Sequence, residues 1–136
     1  MIITDSSRQQ ELEDWAFARG IFPIRPEKAT FIGNELNGKI VAVTAYDRYN
    51  KRDKLIMMHI ASESKGRWLS KDFFWYMFAY PFLQLKVDKI VAPVRHANSK
   101  ALAFVKALGF KEIESHEDIY NMTLFKSTWL QTFKEI

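Results

Sequence analysis

The chain has 136 residues, 48% hydrophobic and 15% aromatic, which is enough for one folded domain and too apolar for disorder. It has no cysteine, so disulfides, thiolate metal sites and cysteine nucleophiles are excluded. The formal net charge of +4 suits phosphate-bearing partners without requiring them. The first residues lack the basic start and apolar run of a signal peptide, and the longest apolar stretch, 73–83, is too short to span a bilayer. A soluble, cytoplasmic protein with no membrane partner is expected.

A first helix is predicted over 5–19. Asp5, Ser6 or Ser7 can cap it, Leu12, Trp15 and Ala16 fall at helical spacing, and Gly20 ends it. Pro23 and Pro26 hold the next segment extended. Strands over 29–36 and 39–46 flank Asn37-Gly38, a dipeptide that favours a tight hairpin because both residues tolerate positive φ. A polar turn is predicted over 47–53. Its cations Arg48, Lys51 and Arg52 read first as a solvated surface, with nucleic-acid contact as the minority reading. A third strand over 55–62 completes a meander.

Ser64-Lys65-Gly66-Arg67-Trp68-Leu69-Ser70-Lys71 then leads into an apolar helix over about 70–84. A glycine, several cations and the free N–H groups of a helix start converge there, a combination that attracts phosphate. The helix is apolar around most of its circumference and so is expected to be buried on more than one side. Its aromatic run, Phe73 to Phe78, is better explained by core packing than by stacking on bases, with Trp75 or Tyr76 left for a dimer contact. Pro81 bends or ends the helix. A strand over 89–94 should pair in parallel with 55–62 through a right-handed crossover. Pro93, without an N–H, should interrupt that ladder and leave room for a ligand. Asn98 caps a helix that Gly109 terminates, and strands over 110–113 and 119–125 return antiparallel. Residues 126–136 fit a short helix or an interface. The expected fold class is α/β with a mixed sheet (α+β), in a single domain spanning 1–136.

His59, His96 and His116 lack metal-ligand spacing, and there is neither a Gly-x-Ser-x-Gly elbow nor a Walker loop. Alternation along 55–63 puts His59, Ala61 and Glu63 on one face. The plainer alternatives are a structural histidine and a solvated carboxylate.

The segments Gly66-x-Trp68-x-Ser70-Lys71, Tyr80-Pro81-Phe82, Asn98-Ser99 and Leu108-Gly109-Phe110, in this order, resemble the GNAT superfamily of N-acetyltransferases. The resemblance runs from the first helix to Phe125 and is similar to a subgroup common in tailed bacteriophages and bacteria. It implies the acyl-CoA N-acyltransferase fold, an antiparallel meander followed by a βαβ unit with splayed parallel strands. It also implies acetyl-CoA as cofactor, a small-molecule or protein amine as acceptor, and a monomer or homodimer, in the host cytoplasm if phage-encoded. By the resemblance, Lys65, Gly66, Arg67, Trp68, Ser70 and Lys71 receive the pyrophosphate, the backbone near Ile60 and Ala61 meets the pantetheine arm, and Asn98 faces that arm from the other side. His59 or Glu63 would take the proton of the acceptor amine. The sequence departs from the family at Trp68, where close backbone approach is usual, and at Val105, where many members carry a tyrosine as general acid. These departures favour an alternative reading, a catalytically weak or inactive phage accessory, virion-associated or interaction protein on the same fold.

Overall fold

The computed structural model describes residues 1–63 and 68–134. In chain order the elements are β1 (Ile2–Ile3), α1 (Gln9–Ala18), β2 (Ala29–Leu36), β3 (Lys39–Asn50), β4 (Leu55–Ser62), α2 (Lys71–Ala79), β5 (Lys89–Arg95), α3 (Ser99–Ala107), β6 (Lys111–His116), β7 (Ile119–Phe125) and α4 (Lys126–Lys134). The strands form one sheet in the order β1-β2-β3-β4-β5-β7-β6, mixed because β5 pairs in parallel with β4 and antiparallel with β7. That is the expected fold class. Among the described residues no helix is long and apolar enough to cross a membrane. The chain forms two compact units, Met1–Arg48 with His59–Tyr80 and Tyr49–Met58 with Pro81–Ile136.

In the first unit, Asn37 and Gly38 take φ values of 53° and 78°, the conformation that a two-residue hairpin requires. The helix start differs from expectation. Ser6–Arg8 form one 3₁₀ turn and α1 begins at Gln9, with no side-chain cap from Asp5, Ser6 or Ser7. The local polar groups have other work. β1 pairs only with Asn34 and Gly33 of β2, and the side chain of Gln9 continues the edge beyond it. Gln9 Oε1 accepts from Phe31 N–H and its Nε2 donates to the Phe31 carbonyl, both at 2.8 Å. Arg8 pairs with Glu11 and with Glu35, and the guanidinium holds Glu11 below its ordinary carboxylate range. Leu12 and Ala16 are buried against Ile3, Phe22, Phe31, Val43, Ala45 and Ala61.

The helix expected over about 70–84, with Pro81 bending or ending it, is two pieces. α2 stops at Ala79 and the chain widens into a π-type turn over Tyr80–Gln84. The cause is Pro81. It has no N–H to give the carbonyl four residues back, which belongs to Met77, and its ring crowds that turn. The Met77 carbonyl instead accepts from the hydroxyl of Tyr46, at 2.6 Å. Tyr46 is fully buried, and burial pushes its phenol well above the ordinary value, so it stays a donor. Phe73, Met77 and Phe78 are buried, whereas Trp75 and Tyr76 are exposed.

In the second unit the parallel β4–β5 ladder has three pairs, ending at Met57↔Val91, two residues before Pro93. The β5–β7 ladder continues through Pro93↔Asn121 to Arg95↔Ile119. Asn98 caps α3 by accepting from Ala101 N–H at 3.1 Å. At the other end Gly109 takes φ 103°, Gly109 N–H bonds the Lys106 carbonyl, and Phe110 N–H reaches back to Val105. This pair of bonds is a Schellman closure. Residues after Phe125 form α4, whose Trp129 is buried with its ring 5.3 Å from that of Phe82.

Candidate active site

The burial pattern of β4 changes phase along the strand. Ile56 and Met58 are buried, His59 and Ile60 are half-buried, and Ala61 is buried again. Strict alternation would bury residue 60, so the in–out alternation of burial is interrupted between Met58 and Ala61. The interruption falls on the segment expected to serve the site. The backbone of Ile60 and Ala61 lies beyond the last parallel pair of the β4–β5 ladder and is not committed to it.

His59 is held from two sides. Its Nε2 lies 2.8 Å from Asp47 Oδ1 of β3, and both side chains are about 15% exposed, His59 at 15% and Asp47 at 14%. The ring edge of Phe22 packs against it at a centroid distance of 4.8 Å. With Asp47 ionised, Nε2 is the nitrogen that carries the hydrogen in a neutral ring, which leaves the lone pair on Nδ1. Among the described residues Nδ1 has no hydrogen-bond partner.

Glu63 is placed differently. Its backbone N–H bonds the Val41 carbonyl, and its carboxylate pairs with Arg19 at 2.9 Å. The Arg19 guanidinium in turn lies 3.5 Å from the centre of the Trp15 ring. The carboxylate is therefore already engaged, and it is 43% exposed. Of the two acid–base candidates read from the sequence, Glu63 has its carboxylate paired with Arg19, whereas among the described residues His59 Nδ1 has no partner.

Around the expected phosphate loop, Ser64, Lys65, Gly66 and Arg67 lie outside the described residues. The segment that follows is anchored from β2. Asn34, 1% exposed, donates from Nδ2 to the Trp68 carbonyl at 2.8 Å. Ser70 caps α2, its Oγ accepting from Phe73 N–H at 3.1 Å, and among the described residues its own hydroxyl donates no hydrogen bond. Lys71 is exposed at the first position of the helix. In the second unit, Asn98 spends its side-chain oxygen on the α3 cap, so its Nδ2 is what it can offer a ligand. Val105 is 4% exposed and supplies no acid. Tyr120 stacks on His96 at 3.8 Å. The described residues hold no cluster of three or more potential metal ligands.

Sequence reasoning misses two residues of this arrangement. Asp47 falls in the expected polar turn, whereas β3 runs on to Asn50 and carries Asp47 beside His59. Asn34 gives only the weak signal of a polar residue inside an otherwise apolar strand.

The backbone of Ile60 and Ala61 lies beyond the β4–β5 ladder, and among the described residues neither the Ser70 hydroxyl nor the Lys71 amine donates a hydrogen bond. Solved structures share this fold. Mutant forms of the spermidine/spermine N-acetyltransferase SpeG of Vibrio cholerae align with a TM-score of 0.75 at 13% identity, over 98% of this chain and 96% of that one. The Vibrio cholerae spermidine N-acetyltransferase in complex with CoA and spermine aligns at 0.74 and 14% identity, over 96% and 97%. The Campylobacter jejuni N-acetyltransferase PseH aligns at 0.67 and 16% identity, over 93% and 97%. Identities this low speak for the fold. No curated protein matches the sequence. The family model described as an acetyltransferase (GNAT) domain matches residues 4–129, so the chain belongs to the GNAT acetyltransferases, whose acetyl donor is acetyl-CoA.

Proposed function

We propose that the protein transfers an acetyl group from acetyl-CoA to a primary amine, with His59 as the proton acceptor. The observation that carries this reading is the 2.8 Å contact between His59 Nε2 and Asp47 Oδ1 under the Phe22 ring. Acetyl-CoA, when bound, would supply the acetyl group through its thioester, whose C–S bond gives way to the new amide C–N bond with CoA released as the protonated thiol. The chain's part is to orient the amine, keep it neutral and take its proton on His59 Nδ1, directly or through one water. Asp47 keeps the ring in the tautomer that leaves Nδ1 free, and it compensates the imidazolium that results. Backbone groups of Ile60 and Ala61 meet the amide arm, while Lys65, Gly66, Arg67, Trp68, Ser70 and Lys71 hold the phosphates. The acceptor screen should include spermidine and spermine, for which the similar Vibrio cholerae enzyme is named, alongside peptide amines.

A second reading, of a weak or silent member acting as a phage accessory or interaction protein, draws on the buried Val105. Thermal melting separates the two. Acetyl-CoA or CoA at about 100 times its dissociation constant should add about 2.7 kcal/mol of stability, and ATP should not. Arg67→Glu and Lys71→Glu should each reduce the acetyl-CoA shift in a protein that still melts cooperatively. No shift in the wild-type protein would favour the silent reading.

Asn34 offers a subtler test. Asn34→Ala removes the donor that holds the Trp68 carbonyl, and acetyl-CoA affinity should fall about 3- to 10-fold, as expected for one hydrogen bond. Unchanged affinity by calorimetry would show that Asn34 supports only the fold.

A further inference from the structure

In the first unit Arg8, Arg19 and Arg25 each meet a carboxylate, at 2.8–2.9 Å, while among the described residues Lys28, Lys39, Arg48 and Lys71 do not and lie apart in sequence. The second unit gathers Lys51, Arg52, Lys54, Lys86, Lys89 and Lys126. Among the described residues none of these six makes an ion pair. Backbone bonds bring their three segments together. The Lys54 carbonyl accepts from the N–H groups of Asp88 and Lys89, at 2.8 and 3.3 Å, and Lys126 N–H donates to the Asp88 carbonyl at 2.9 Å. Two acids interrupt the cluster, and one of them, Asp53, is occupied by Asn50.

Two further features set this face apart from an ordinary solvated turn. Lys54 and Lys86 stand at φ 53° and 60°, where glycine or asparagine costs least, so cations occupy positions that local backbone preference would give to other residues. Two large rings are also exposed here. Tyr49, 45% exposed, donates its hydroxyl to the carbonyl of Leu85, next to Lys86. Phe125, 38% exposed, is the register partner of Lys89.

We propose that this face binds single-stranded nucleic acid, the cations tracking the phosphates and the rings of Tyr49 and Phe125 receiving unstacked bases. Cations without carboxylate partners release counterions when they meet phosphate, and exposed rings between them supply a contact that a duplex, its bases stacked away, does not use.

The test is fluorescence anisotropy of a labelled single-stranded oligonucleotide with the full chain over a salt series. If four phosphates are engaged, affinity should fall about fifty-fold between about 50 and 200 mM salt. The triple variant Lys51→Glu, Lys54→Glu, Lys86→Glu should lose at least about tenfold in affinity at low salt, since each phosphate contact contributes to the salt-dependent term. Its melting shift with acetyl-CoA should match the wild type, which reports a folded protein with an intact cofactor site. Tyr49→Ala should weaken single-strand binding and leave duplex binding unchanged. The proposal is overturned by any of three results: no binding at low salt, a folded triple variant that binds like wild type, or duplex DNA or polyglutamate competing as well as the single strand. Competition by polyglutamate would identify an acidic protein segment as the partner instead.

Discussion

His59→Gln, which keeps a planar polar side chain under Phe22, should lower turnover about 10²- to 10⁴-fold, the range expected when a positioned general base is removed. Acetyl-CoA binding and melting temperature should stay near wild type, because the groups proposed to hold the phosphates lie elsewhere in the chain. Asp47→Ala should cost less, about 10- to 100-fold, as removal of an outer partner that orients a histidine does in other settings. The two variants are told apart by the ring itself. In the wild type, ¹⁵N shifts of His59 should report hydrogen on Nε2 and an unprotonated Nδ1, following the 2.8 Å contact with Asp47. In Asp47→Ala that preference should disappear. Normal turnover in a folded His59→Gln enzyme would remove the base assignment and return attention to Glu63, whose carboxylate would then have to leave Arg19. Loss of turnover in Asp47→Ala with the tautomer unchanged would show that Asp47 acts on the acceptor rather than through the ring.

The largest stability effect from deleting a single atom should come from Tyr46→Phe. The hydroxyl is fully buried and serves the Met77 carbonyl that Pro81 leaves without its helical donor. Removing it strands a buried acceptor at a cost of about 1–3 kcal/mol, and the ring, which packs 5.0 Å from Tyr80, is retained. The explanation makes a second claim that a simple packing account does not. In a Pro81→Ala background residue 81 has an N–H, so the carbonyl has another donor and Tyr46→Phe should cost markedly less. Denaturant unfolding of the four proteins in the cycle measures that difference. An equal cost in both backgrounds would show that the hydroxyl and the proline act independently.

The helix break at Pro81 is legible in the sequence, whereas its consequence for Tyr46 is not. The same division runs through the chain. Asn37-Gly38, Gly109 and the Asn98 cap behave as the local chemistry requires, because positive φ and cap bonds involve residues a few positions apart. β2 and β4 keep their predicted limits, and the polar residues at 37–38 and 51–54 form the turns expected of them. β3 does not. Asp47-Arg48-Tyr49-Asn50 has the composition of a turn, yet it continues as strand, with Asp47 still paired to Ala29 of β2. A strand ends where its partners end, which no local pattern encodes. That boundary conceals the carboxylate beside His59, twelve positions away in sequence.

The sequence by itself settled the order of elements from the first helix to the last strand, the Asn37-Gly38 turn and the ends of α3, the family resemblance and the choice of His59 and Glu63 as candidates. Each rests on short-range periodicity, on glycine and proline stereochemistry or on motif spacing. Tertiary structure decided which candidate keeps a free basic nitrogen, through partners brought from separate elements: Asp47 for His59 and Arg19 for Glu63. It also decided that Asn34 supports Trp68 and that Gln9 completes a sheet edge instead of leaving the helix start to a serine or aspartate cap. Those outcomes depend on which buried or edge backbone groups still need a partner once the sheet has formed, and that demand exists only in the folded chain.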